Sequence, residues 1–159
     1  MRSSSTGSSG TPSTRTAPVS APSTVTCRGR PPNRAVPVQS TIKGAITAAR
    51  AAGKGVVVDL INVADKPLRA KEAHALGAVL AEFHAGLDEQ ALPGYSLQTL
   101  LDAGTSSGVP FSVAGGVGAS SITAVQAAGA DVAVAGSAIY GADDPAAAAA
   151  SLRALISRP

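Results

Sequence analysis

The chain has 159 residues, enough for one domain, with 45% hydrophobic but only 3% aromatic residues and a net charge of +3. The charge belongs to one end: residues 1–39 hold five arginines and no Asp, Glu or Lys, while the remainder carries 10 acidic against 8 basic residues. The single Cys27 excludes a disulfide within the chain and suits a reducing compartment, no apolar run reaches the roughly 18 residues of a membrane helix, and scattered arginines without interleaved aromatics make no nucleic-acid face.

Residues 1–39 contain 28 Ser, Thr, Pro, Arg or Gly, too little apolar surface to offset chain entropy, so this segment is expected to be disordered. A flexible tail, an organelle transit peptide and a GC-rich region read in the wrong frame all fit such text. A structured unit is expected over 40–159.

From Ser40, an expected N-cap, Ile42, Ile46 and Ala49 follow at helical spacing until Gly53. Gly55–Val63 is a nearly continuous apolar run rich in β-branched residues, as in a parallel strand covered on both faces. Asp65 caps a helix with Pro67 in its first turn, ending near Leu76 and Gly77. Residues 78–84 read as a second strand, and Ser96 opens a helix with Leu97, Leu100 and Leu101 on one face. Residues 109–114 form a third strand, with Pro110 near its start, followed by a helix carrying Ile122, Val125 and Ala128 up to Gly129. Residues 130–135 form the fourth strand, and a last helix from Asp143-Asp144-Pro145 is expected to bury Leu152, Leu155 and Ile156. Four strands alternating with helices predict an α/β fold with a parallel sheet, either open or part of a barrel.

In such folds ligands bind beyond the carboxyl ends of the strands. The third strand ends in Ala114-Gly-Gly-Val-Gly118 and the fourth in Ala135-Gly-Ser137. Gly115, Gly116, Gly136 and Ser137 are candidate phosphate contacts, because glycine lets backbone N–H groups approach an anion and a helix start adds donors. Relief of packing at tight turns would also call for these glycines. No GxGxxG or Walker sequence is present, so a nucleotide fold is disfavoured. His84, at the end of the second strand, could serve as acid or base, or simply bond a neighbouring backbone group. Asp59, a carboxylate in an apolar strand, must be paired or serve a site, and Asn62 follows at the strand exit. His74 reads as a surface residue of a helix. No His, Cys, Asp or Glu spacing suggests a metal site, so none is assigned.

Four segments together carry a family resemblance: Gly-Val-Val-Val-Asp-Leu-Ile (55–61), His-Ala-Gly-Leu-Asp-Glu-Gln (84–90), Val-Pro-Phe-Ser-Val-Ala-Gly-Gly-Val (109–117) and Val-Ala-Gly-Ser-Ala-Ile-Tyr-Gly (134–141). Over residues 40–157 the chain resembles the 3-hexulose-6-phosphate synthases of the orotidine-5′-phosphate decarboxylase superfamily. The resemblance implies the C-terminal half of a TIM (β/α)8 barrel. It also implies an aldehyde-lyase that reversibly joins formaldehyde to ribulose 5-phosphate, with a magnesium ion stabilising an enediolate. It places Asp59 and His84 at the substrate's reactive end and Gly115, Gly116, Gly136 and Ser137 around its phosphate. A cytoplasmic homodimer acting on a sugar phosphate, without nucleic acid or membrane, is the expectation that follows.

The family's Asp-x-Lys-x-x-Asp motif, which supplies its metal and catalytic core, is absent from this sequence. Pro/Arg/Ser-rich text stands where the fourth barrel strand should precede Thr41-Ile-Lys-Gly44. The chain therefore reads as truncated and inactive alone, with the magnesium ligands missing. The alternatives are a non-catalytic phosphate-binding half-barrel and a related sugar-phosphate decarboxylase or epimerase. A half-barrel with a Val/Ala/Leu/Ile core leaves edges and one sheet face open, so self-association is expected.

Overall fold

The computed structural model describes residues 23–25 and 38–156. Five parallel strands lie in sequence order: β1 (Ser23–Val25), β2 (Val56–Asp59), β3 (Leu80–His84), β4 (Phe111–Ala114) and β5 (Val132–Val134). Between β1 and β2 runs α1 (Val38–Ala51), and between β2 and β3 runs α2 (Lys66–Leu76). The short α3 (Leu87–Gln90) and α4 (Leu97–Ser107) connect β3 to β4, and α5 (Ile122–Ala127) connects β4 to β5. The short α6 (Ser137–Tyr140) and α7 (Pro145–Leu155) follow.

The four expected strands are present, each shorter than its apolar run. The fifth, β1, is a difference from the sequence reading. Ser23, Thr24 and Val25 lie within the segment expected to be disordered, yet they pair with Val56, Val57 and Val58. A Ser-Thr-Val triplet suits an extended backbone, and β2 offers it an unpaired edge. Val38 and Gln39, at the end of that segment, open α1, and the rest of that expectation falls on residues outside those described.

Local chemistry sets most element ends. The Asp65 carboxylate accepts from Leu68 N at 3.0 Å, the Ser96 hydroxyl from Gln98 N at 3.2 Å and the Asp144 carboxylate from Ala147 N at 2.9 Å. Gly77, at φ 106°, closes α2 with its N–H on Ala73 and His74 carbonyls. Ser40 is not a cap: α1 starts at Val38 and places Ser40 inside its first turn. The amphipathic face anchored by Ile42 fixes α1, and its regular backbone extends past the expected serine.

Strand alternation assigns the two sheet faces. Val56, Val58, Ala81, Phe83, Phe111 and Val113 point to the helices and pack on Ile42, Ile46, Ala70, Ala73, Leu100, Leu101, Ile122, Val125 and Leu152. Phe83 and Phe111 meet edge to face, with centroids 5.7 Å apart and ring planes at 78°. Leu155, expected in this core, is exposed, whereas Leu152 is buried. One helical turn back, Leu152 takes the core-facing place, and Ile156 packs at the margin. The opposite sheet face carries Val57, Asp59, Leu80, Glu82, His84, Ser112, Ala114, Val132 and Val134, and the candidate site lies there.

Candidate active site

Strand register builds the polar centre. Asp59 pairs with Glu82, and Glu82 pairs with Ser112, so these residues stand side by side on one face of adjacent strands. His84 lies two residues beyond Glu82 on β3 and shares that face. His84 Nδ1 approaches both Asp59 oxygens, at 3.0 Å to Oδ2 and 3.2 Å to Oδ1. Asp59 Oδ1 also accepts from Ile61 N at 2.8 Å, which holds the carboxylate against the strand exit. Asp59 is only 5% exposed, so its charge is compensated by those two donors. With Nδ1 facing a carboxylate, the neutral imidazole carries its proton there and presents the lone pair at Nε2. Asn62, just beyond, adopts φ 58°, a left-handed turn that asparagine tolerates.

Glu82 is the site residue that sequence reasoning missed. Burial pushes its carboxyl above the usual carboxylate range, the neighbouring Asp59 charge pushes it further, and His84 pulls the other way. Asp59, Glu82 and His84 bring one ligand atom each to within 4.8 Å of one another. The spacings alone assigned no metal group, and the fold gathers these three side chains into one that could hold an ion. Glu82 and His84 are two residues apart, which already places them on one strand face. Their proximity to Asp59 depends on a register that no spacing displays.

The glycine loops begin at the same sheet edge. Gly115 (φ 101°) and Gly116 (φ 77°) follow β4. A methyl on Gly115 would collide with the Ala85 carbonyl, so this glycine is also required for close packing beside His84. Gln90 Nε2 donates to Ala85 O at 2.8 Å, and Tyr95 OH donates to Gly115 O at 3.2 Å, tying the β3 exit to the glycine loop. Ser121 Oγ accepts from Gly118 N at 3.0 Å and donates to Gly116 O at 3.1 Å. Gly136 precedes α6 and its carbonyl accepts from Ile139 N at 2.8 Å, while Ser137 is the first residue of α6 and is exposed. A methyl built on Gly118 would lie 3.6 Å from the Ala138 side chain, so the two loops adjoin. His74 stands apart on α2, bonded through Nδ1 to Ala78 O at 3.2 Å. Lys66 pairs with Glu89 at 2.9 Å, linking the start of α2 to α3.

The family model described as orotidine 5′-phosphate decarboxylase / HUMPS family matches residues 34–152. The chain belongs to this family. It is 66% identical over 117 residues to a 3-hexulose-6-phosphate synthase of Mycobacterium gastri, covering 74% of this chain and 56% of the relative. The synthase of Methylomonas aminofaciens is 50% identical over 118 residues, covering 72% of this chain and 56% of that protein. A crystal structure of 3-hexulose-6-phosphate synthase superposes with a TM-score of 0.73 at 65% identity, over 75% of this chain and 57% of the other. The synthase structure from Salmonella typhimurium gives 0.64 at 36% identity, over 76% and 58%. The chain thus spans about half the length of the curated relatives it matches, and its α/β sheet corresponds to a half-barrel of the family fold.

Proposed function

We propose that residues 40–159 form a phosphate-binding half-barrel that carries the acid–base pair of a 3-hexulose-6-phosphate synthase-type aldehyde-lyase. The substrates are ribulose 5-phosphate and formaldehyde, and the product is hexulose 6-phosphate. The observation that supports this reading is the Asp59–His84 pair at the strand ends, one strand from the glycine loop that follows β4. A base must stand at one end of the pentulose and anion donors at the other.

The chemistry follows from the tautomer. His84 Nε2 takes a proton from the carbon beside the ketone, leaving an enediolate, and Asp59 stabilises the imidazolium formed. The enediolate carbon bonds to the formaldehyde carbon, whose oxygen takes up the proton. Gly115, Gly116, Gly136 and Ser137 hold the phosphate through backbone N–H groups and one hydroxyl. Magnesium, when bound, supplies charge stabilisation for an enediolate. The Asp59–Glu82–His84 set includes an imidazole and does not match magnesium's preference for oxygen donors in octahedral geometry, so no step here passes through it. A homodimer belongs to this proposal, and so does a cytoplasmic setting. No helix among the described residues is long and apolar enough to cross a membrane.

The second reading, a phosphate-binding half-barrel without catalysis, is favoured by one fact: the chain has no Asp-x-Lys-x-x-Asp sequence. Formaldehyde loss in the presence of ribulose 5-phosphate and magnesium separates the two. The purified chain is assayed alone and with the portion of the Mycobacterium gastri relative outside the matched region. No turnover alone and turnover on complementation is the expected pattern. Sugar-phosphate binding without turnover in the complemented protein would overturn the enzymatic reading.

A further inference from the structure

One carboxylate oxygen from Asp59, one from Glu82 and one imidazole nitrogen from His84 converge within 4.8 Å on one sheet face. Two carboxylates on neighbouring strands repel each other, and a cation between them would remove that repulsion. An independent observation comes from β4. Ser112 is registered with Glu82, is 1% exposed, and its Oγ has no hydrogen-bond partner among the described residues. A buried hydroxyl of this kind calls for a ligand or an ordered water. It shares the face on which the three ligand groups meet.

We propose that Asp59, Glu82 and His84 form a binding site for a borderline divalent transition cation, of the zinc or cobalt(II) class. Ser112 bonds to a water that completes the cation's shell. One nitrogen and two carboxylate oxygens suit these cations, whereas magnesium and calcium favour oxygen alone. Three protein ligands leave room for the water. A cation there withdraws His84 from proton transfer, so the two uses of the cluster exclude each other. The site goes beyond the aldol reading and stands without it, since cation binding is read directly.

The test is cobalt(II) titration of the tag-free, chelator-stripped full chain, followed by calorimetry and visible absorption. One cation per chain is expected, with d–d bands of a nitrogen-containing site. His84→Gln and Glu82→Gln should each weaken binding by more than about tenfold, and Ser112→Ala by about tenfold, as for a group that orients the shell. The comparison variant Asp59→Asn/Glu82→Gln/His84→Gln retains Cys27 and His74 and so controls for adventitious uptake. The chain has two histidines, and proton NMR of the unmutated protein should show His84 ring signals shifted by cobalt(II) with His74 unmoved. Uptake by the unmutated chain no greater than by the triple variant would overturn the site, as would a response confined to His74. Neither result depends on turnover of sugar phosphate.

Discussion

At the scale of single residues, the His84–Asp59 bond makes a specific claim about proton transfer. Asp59→Asn keeps the side chain's shape but removes the charge that fixes the imidazole proton at Nδ1. His84→Gln and Asp59→Asn should each lower formaldehyde consumption by the complemented protein by about 10²–10⁴-fold. Calorimetry should find ribulose 5-phosphate affinity little changed, because the proposed phosphate contacts lie on other loops. Glu82 makes a claim about stability. Its unfolded carboxyl titrates near 4.5, and burial beside Asp59 raises the folded value. Between those two values the folded chain binds more protons than the unfolded one, so stability falls as pH rises through that window. Below the window the penalty is absent. Urea titrations across pH, with a chelator present, should show this decline in the parent and a flatter profile in Glu82→Gln. Asp59 was legible in the sequence because a carboxylate interrupts an apolar strand. Glu82 was not, because Glu-x-His at a strand end reads as an ordinary polar face until the register sets it opposite Asp59.

At the scale of elements, two adjacent glycines should behave differently. Both Gly115 and Gly116 have positive φ, so alanine costs about 1–2 kcal/mol at either from backbone strain. At Gly115 the added methyl also meets the Ala85 carbonyl, whereas at Gly116 the nearest atom, Gln90 Oε1, is 3.5 Å away. Chemical denaturation should find Gly115→Ala the more damaging, by about 1–3 kcal/mol more, in the range of an overpacked site. Gly104 tests the same logic inside a helix. Alanine there is about 1 kcal/mol better by propensity, yet its methyl would lie 2.5 Å from the Phe111 ring. Gly104→Ala should therefore lower the unfolding midpoint despite favouring helix, and a raised midpoint would mean that Phe111 can move aside. The caps at Asp65, Ser96 and Asp144 were readable because each acid or serine directly precedes a periodic apolar pattern. Ser40 misled because Val38 and Gln39 can extend a helix upstream of a good capping residue. The pairing of Ser23–Val25 was hidden by its surroundings: three residues among Pro, Arg and Ser carry no alternation, and only the edge of β2 selects them.

At the scale of the whole molecule, the sheet is asymmetric. The helices cover one face, and the other carries the site together with two apolar side chains at its β5 end, Val132 (46% exposed) and Val134 (39% exposed). Among the described residues β5 pairs with β4 alone, so an apolar face and an unpaired edge occur in the same strand. Parallel sheets are ordinarily covered on both faces. An exposed edge offers hydrogen bonds to another strand, and burying the two valines adds an apolar contribution of about 25 cal/mol per Å². These features favour association through β5, by pairing with a second copy or with the remainder of a barrel. Sedimentation of the chain across a concentration series should show a mass above monomer that rises with concentration. Val134→Lys should reduce it by placing a charge where association removes water. The proposed phosphate binding at Gly116 should survive that substitution, since its loop is held within the chain by Ser121. A sharp monomer boundary at every concentration would show that the exposed β5 edge is stable in water as it stands.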